Sequence, residues 1–157
     1  MSSQRDIRGV LITVTNGRLL LPNASVAEVI TYSEPEAVEN APDWLLGRVR
    51  WRGWRLPLLS FSRLAGWSME DGHLGAKVAV LKALGGNAKL PFFAVLSQGF
   101  PRLVTVSPDT VVADGGADDE TLPAGVQARV MLNQDSALLP DLEGIERMIG
   151  EALVQAA

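Results

Sequence analysis

No apolar run in this chain is long. Each stretch of Val, Ile, Leu and aromatic residues ends within about eight residues at an Asn-Gly pair, a Gly, a Pro or an acidic loop. Short, bounded segments rich in β-branched and aromatic side chains suit a pleated, half-buried surface, so most are expected to be strands. A first set comprises Gly9 to Thr15, Arg18 to Pro22, Val26 to Tyr32, Leu45 to Trp51 and Trp54 to Phe61. After a Gly-rich gap around Met69 to Gly75 comes a second: Lys77 to Leu84, Phe92 to Leu96, Arg102 to Val106, Ala128 to Leu132 and Ala137 to Leu139. Such spacing points to a mainly all-β chain, either small barrels or a sandwich. None of these runs approaches the roughly 18 apolar residues needed to span a bilayer.

Local signals sharpen the outline. Asn16-Gly17 predicts a hairpin between β-strands at about Val10 to Thr15 and Arg18 to Leu21, with both turn residues at positive φ. Ser62 to Gly66 reads as one helical turn. Leu84 to Leu90, around Asn87 and Lys89, reads as a hairpin connection, and Ser107 to Gly125 as a mobile loop. At the C-terminus Leu142, Ile145, Met148, Ile149 and Leu153 recur at helical spacing behind Asp141, which predicts a capped helix at about 141–154. Its apolar stripe is expected to pack on the chain's own strands.

Composition removes whole classes of chemistry. Cys is absent, which excludes thiol nucleophiles, disulfides and cysteine-held metals. The single imidazole, His73, sits in the polar turn Glu70-Asp71-Gly72-His73 and reads as solvated. Asp114, Asp118, Asp119 and Glu120 lack the ligand spacing of an EF-hand loop. No nucleophile elbow, phosphate loop or dinucleotide fingerprint occurs. The net charge of −4, from 14 basic and 18 acidic residues, argues against nucleic acid as a principal partner. No catalytic residue, cofactor or metal is therefore expected. The first residues show no apolar core followed by a small-residue cleavage site, so the chain is read as cytoplasmic, without direct membrane insertion.

The most informative segment is Gly47-Arg-Val-Arg-Trp-Arg-Gly-Trp-Arg-Leu-Pro-Leu-Leu59. A two-residue turn at Arg52-Gly53 sets Trp51 opposite Trp54 and Val49 opposite Leu56 on an apolar face. The other face then carries Arg50 opposite Arg55, beside Arg48. Opposed like charges are unfavourable, so this face calls for solvent or for carboxylates from Glu34, Glu36, Glu39 or another protein. Glu28 interrupts Val26-Ala-Glu-Val-Ile30. Alternation assigns Val26, Glu28 and Ile30 to one face, Ala27 and Val29 to the other, and the carboxylate then needs an edge position, a cation or a partner.

These residues, in this order, resemble the CheW-like coupling domain of bacterial chemosensory systems. The likeness is carried by Leu21-Pro22 leading to Val26-Ala-Glu-Val-Ile30, by Pro42-x-x-Leu45-Leu-Gly47-x-Val49, by Arg52-Gly53 and by Leu56-Pro57-Leu58. It spans about residues 7 to 150 and is more specific in the first half. The resemblance implies a single domain over residues 1–157. That domain would hold two small SH3-like five-stranded β-barrels, packed pseudo-symmetrically with a hydrophobic groove between them, and the C-terminal helix. It implies a non-enzymatic adaptor joining the regulatory domain of a CheA-type histidine kinase to the cytoplasmic tip of a methyl-accepting chemoreceptor, with other CheW-like adaptors as further partners. By position, Glu28 and Arg52 match the family's partner-contacting charges, Val26 and Val29 match residues near the receptor groove, and Trp54 adjoins them. Trp51, Trp54 and the ending Leu139-Pro-Asp-Leu-Glu-Gly-Ile-Glu146 look like the ChpC-type variant of pilus-associated clusters, implying type IV pili and twitching motility. Two departures stand out: Ser60 or Phe61 where the family has an Asp, and Ser97-Gln-Gly-Phe-Pro101 where it has an acidic-Gly-Val turn. The competing expectation is a regulatory β-barrel that senses a small molecule in a pocket lined by Trp44, Trp51, Trp54 and Trp67.

Overall fold

The computed structural model describes residues 7–67, 70, 72, 75–86, 90–107, 111–113, 125–132 and 135–156. The expectations for His73, Asn87, Lys89 and the acidic residues Asp114, Asp118, Asp119 and Glu120 fall outside the described residues.

Eleven strands and two helices are described. They are β1 (Ile7–Val14), β2 (Gly17–Pro22), β3 (Val26–Thr31), β4 (Leu45–Trp51), β5 (Trp54–Leu59), α1 (Phe61–Leu64) and β6 (Lys77–Lys82). Beyond these come β7 (Phe92–Ser97), β8 (Arg102–Val106), β9 (Val111–Ala113), β10 (Val126–Leu132), β11 (Asp135–Pro140) and α2 (Leu142–Ala156). They form a six-stranded sheet of order β8-β1-β2-β11-β10-β9 and a five-stranded sheet of order β3-β6-β7-β5-β4. The two share one pairing scheme. Two antiparallel pairs lead to a parallel pair, β2 with β11 or β7 with β5, and an antiparallel hairpin comes next. This repetition is the expected pseudo-symmetry. The extra strand is β9, inside the 107–125 stretch read as a loop. In the five-stranded sheet its place is taken by Glu36, bridged to Arg48 at the outer edge of β4.

The sheets do not follow the two sets of segments. The β1–β2 hairpin pairs with strands from the end of the chain, and the middle of the chain builds the other sheet. Three apolar clusters result. Val49, Trp51, Leu56, Leu58, Val78, Val80, Ala94 and Leu96 fill the five-stranded sheet, and Leu11, Leu20, Val130 and Ala137 fill the six-stranded one. The largest cluster lies between the sheets and draws on both, with Ile12, Leu19, Phe61, Leu81 and Phe93 among its members. Ile145 and Ile149 of α2 are buried in it, as the helical stripe requires. At about 1.5–3 kcal/mol per fully buried large aliphatic side chain, these two alone hold the helix firmly. Asp141 Oδ1 accepts from the Gly144 N–H at 3.1 Å and starts the helix. The apolar residues that the two sheets turn toward each other thus form packed core.

Two local expectations shift. The first hairpin pairs Val14 with Gly17, so the turn residues are Thr15 and Asn16, and only Asn16 (φ 70°) is left-handed. Gly17 is required for a different reason: a Cβ there would lie 2.8 Å from Cζ3 of Trp67. In β3 a bulge between Val26 and Glu28 breaks the alternation. Val26 opposes Leu81 and Val29 opposes Ala79, both in the inter-sheet core, whereas Glu28 and Ile30 oppose Val80 and Val78 of the other cluster. Val26 thus shares a face with Val29, not with Glu28.

Candidate functional site

The β4–β5 hairpin has the register read from its sequence: Val49 opposite Leu56, Arg50 opposite Arg55, Trp51 opposite Trp54. Its turn residues Arg52 (φ 48°) and Gly53 (φ 81°) are both left-handed, as a primed two-residue turn demands. The apolar face is only partly as expected. Val49, Trp51 and Leu56 are buried, but Trp54 at the hairpin end is 40% exposed. It meets Phe92 edge-on with centroids 6.5 Å apart, and Phe92 meets Trp51 at 4.8 Å.

Glu28 reaches this aromatic group from β3, the edge strand of the same sheet. Its Oε1 accepts from the Trp51 indole Nε1 at 3.0 Å and lies 2.9 Å from Arg52 Nη2. The Arg52 guanidinium also stacks over the Trp51 ring, 4.9 Å from its centroid. The carboxylate in an apolar strand is therefore answered by an edge position and a cation together. The side chains of Arg52 and Glu28 are 70% and 39% exposed, so the pair stands at the surface. Of the five residues read as partner-binding, Glu28, Arg52 and Trp54 converge through Trp51 and Phe92. Val26 and Val29 lie on the opposite face of β3, half-buried at the margin of the inter-sheet core. In the six-stranded sheet, Leu103 opposes Val10 and is 67% exposed. Phe100, within the departing segment Ser97 to Pro101, is 75% exposed with Lys77 Nζ 4.4 Å from its ring centre.

The basic face of the hairpin finds its carboxylate in Glu36, which pairs with Arg50 (3.4 Å) and with Arg55. Gly47 makes this possible. It stands at φ 146° beside a bulge, and a Cβ there would lie 2.4 Å from the Glu36 carbonyl oxygen, so only Gly lets the 35–36 segment dock on β4.

Two buried carboxylates escaped sequence reasoning. Glu70 is 1% exposed. Its Oε2 accepts from the Thr15 N–H (2.7 Å) and from Gln98 Nε2 (3.2 Å), and its Oε1 from the Ser60 hydroxyl (2.7 Å). Ser60, one of the departures from the family pattern, is thus a buried partner of Glu70 and the cap of α1, accepting from the Arg63 N–H. Glu146 of α2 accepts from the N–H groups of Leu84 and Gly85 at 2.7 and 2.8 Å, tying the helix to the β6–β7 connection. Nothing local marks either residue, because every donor but Ser60 is more than 25 positions away along the chain.

The four tryptophans do not form one pocket: Trp51 belongs to the core of the five-stranded sheet, Trp54 is exposed, and Trp44 and Trp67 pack against the inter-sheet core. Among the described residues no three of His, Cys, Asp and Glu gather as a metal site, and no helix is long and apolar enough to cross a membrane.

A family model described as a CheW-like domain matches residues 8–148. Among solved structures, the chain is similar to the scaffolding protein TtCheW from Thermoanaerobacter tengcongensis. The TM-score is 0.70 at 12% identity, over 87% of this chain and 84% of that one, a likeness of fold. No curated protein sequence gives a significant match.

Proposed function

The chain belongs to the CheW-like domain family, the family model taking in residues 8–148 of its 157, and from that premise we propose that it is a non-enzymatic chemosensory adaptor. It couples the regulatory domain of a CheA-type histidine kinase to the cytoplasmic tip of a methyl-accepting receptor, in the cytoplasm, within a pathway linked to type IV pili as in ChpC-type variants. The observation that carries this reading is the exposed Glu28–Arg52 pair. It stands on the aromatic base of Trp51 and Phe92, flanked by Trp54, at the positions where the chain repeats the family motifs. An ion pair beside an exposed indole is a surface rich in the residue types that dominate binding energy. The opposite face of β3, with Val26 and Val29, offers an apolar margin on which a receptor helix can lie. Two modest contacts suffice once partners are arrayed, because the second forms at raised effective concentration.

The test is titration against the kinase regulatory domain and a receptor-tip fragment, with Glu28→Arg, Arg52→Glu and the double swap. An exposed ion pair contributes about 0–1 kcal/mol, so each single variant should stay folded by circular dichroism while losing affinity. The double swap restores the internal ion pair, although an arginine at position 28 cannot accept from the Trp51 indole N–H, and it does not restore the partner contacts. Absence of binding by the unaltered protein to either partner at high micromolar concentration overturns the adaptor reading. Restoration of binding by the swap reduces Glu28 and Arg52 to structural residues.

A further inference from the structure

The basic face of the β4–β5 hairpin calls for more negative charge than the fold supplies. Arg48 and Arg50 alternate onto this face from β4, and Arg55 joins them from β5, opposite Arg50. Against three guanidiniums stands one carboxylate. Glu36 spends Oε1 on Arg50 Nε, 3.4 Å away, and Oε2 on Arg55 Nη2, so both its oxygens are committed. Glu34 and Glu39 form an ion pair with none of the three, and the Arg48 guanidinium has no ion-pair partner among the described residues. The side chains of Arg50 and Arg55 are 81% and 55% exposed, so the uncompensated charge faces solvent.

The same strand leaves a backbone position open. β4 is the outer strand of its sheet. Its edge is closed at Arg48, whose N–H donates to the Glu36 carbonyl and whose carbonyl accepts from the Glu36 N–H, each at 2.8 Å. These groups point away from β5, where Arg48 is opposed by Pro57, a residue with no N–H to donate. Two residues on, the N–H and C=O of Arg50 point the same way. The bridge at Glu36 is a single pair and does not extend to them, and among the described residues the Arg50 backbone has no partner on that side.

We infer that this face binds an extended acidic segment of a partner protein, whose carboxylates meet Arg48, Arg50 and Arg55 while its backbone bonds the open N–H and C=O of Arg50. A segment added at a sheet edge gains main-chain hydrogen bonds and takes its specificity from alternate side chains, here acidic ones. Each arginine keeps N–H donors beyond those that Glu36 uses, and guanidinium–carboxylate bonds are charge-assisted. A nucleic acid fits less well. Trp51 and Trp54 are paired on the opposite face, which leaves this face of the hairpin without a ring on which bases could stack, and Glu36 holds a negative charge among the arginines. The net charge of −4 repels an acidic segment from the rest of the chain and so directs it to this face. Neither Glu28 nor Arg52 takes part, so the proposal holds or fails apart from the adaptor reading.

The test titrates the full chain at low salt with a short oligoglutamate peptide, the matching oligoglutamine and an oligothymidylate, followed by amide resonances. Oligoglutamate should shift the amides of Arg48, Arg50 and Arg55, slow hydrogen exchange at the Arg50 N–H and weaken as salt is added. Oligoglutamine should not bind at the same concentrations, and oligothymidylate should bind more weakly than oligoglutamate. Exposed ion pairs are individually weak, so Arg48→Gln, Arg50→Gln and Arg55→Gln should each cost oligoglutamate about two- to fivefold, while Arg102→Gln on the other sheet costs nothing. Glu36→Gln should tighten binding by about the same factor, because it removes the competing carboxylate and frees donors on Arg50 and Arg55, and the backbone bridge to Arg48 does not need its side chain. Equal binding of oligoglutamine overturns the proposal, as do resonance shifts confined to other parts of the chain, undiminished affinity in the folded arginine variants, or weaker binding by folded Glu36→Gln. Oligothymidylate binding as tightly as oligoglutamate overturns it in favour of a nucleic-acid surface. Should a variant fail to fold by circular dichroism, the three probes and the positions of the shifts on the unaltered protein still decide.

Discussion

Replacing Glu70 should damage the fold more than replacing any other acidic residue among those described. Its carboxylate receives the Thr15 N–H from the β1–β2 turn of one sheet and the side chains of Ser60 and Gln98 from strand ends of the other. Gln98 also donates its own N–H to the Thr13 carbonyl at 2.8 Å, so this point fastens sheet to sheet. In Glu70→Ala three donors lose their acceptor at a site 1% exposed. Each unsatisfied buried group costs about 1–3 kcal/mol, part of which is offset because a carboxylate no longer has to be held out of water. The net loss should be about 3–5 kcal/mol. Glu70→Gln should be much milder. The amide oxygen can keep Thr15 and Gln98, and the NH₂ group then faces the Ser60 hydroxyl, which can rotate to accept; about 1–2 kcal/mol is expected. Urea unfolding followed by tryptophan fluorescence measures both, with an unchanged slope showing that only stability has moved. At about 2–4 °C per kcal/mol for a chain of this size, the alanine variant should melt roughly 10 °C lower. A loss below about 1 kcal/mol in Glu70→Ala, or a glutamine variant as unstable as the alanine one, would refute the reasoning.

Gly17→Ala should destabilise by about 1–3 kcal/mol and alter the near-ultraviolet dichroism, because the new methyl lies 2.8 Å from the Trp67 ring; an unchanged spectrum and melting curve would show that the ring yields freely. Glu146→Ala leaves the N–H groups of Leu84 and Gly85 without their acceptor and should cost about 1–3 kcal/mol. Hydrogen exchange at those two amides is the readout, and unaltered protection would contradict the assignment.

What the sequence disclosed and what it hid divide along a physical line. Signals that act over a few residues were readable. The Arg52-Gly53 turn fixes the register of its hairpin by turn chemistry alone, and Leu142, Ile145 and Ile149 reveal a buried helix face by spacing. The β1–β2 hairpin was found, but by a residue pair whose Gly17 serves a contact with Trp67, far along the chain. The bulge at Ala27 defeated strict alternation because one extra residue reverses every later side chain relative to the earlier ones, and no residue type announces it. Distribution of strands between sheets was equally hidden, since β2 meets β11 from the opposite end of the chain.

The Glu28–Arg52 pair shows why this boundary matters for function. Read singly, each charge calls for a partner, and a foreign protein is one way to supply it. In the folded chain they answer each other, 2.9 Å apart, yet both bonds to the carboxylate fall on Oε1 and leave Oε2 outside either contact. Arg52 likewise retains donors beyond the one it spends on Glu28. The pair is therefore neutral in sum but unsaturated in hydrogen bonding, a state in which a partner can add contacts without first removing any. Its own contribution to stability is small, about 0–1 kcal/mol at this exposure, while the fold rests on the inter-sheet core and on Glu70. Binding residues that carry little of the folding energy can be rearranged on docking, or altered between relatives, at little cost to the scaffold that displays them.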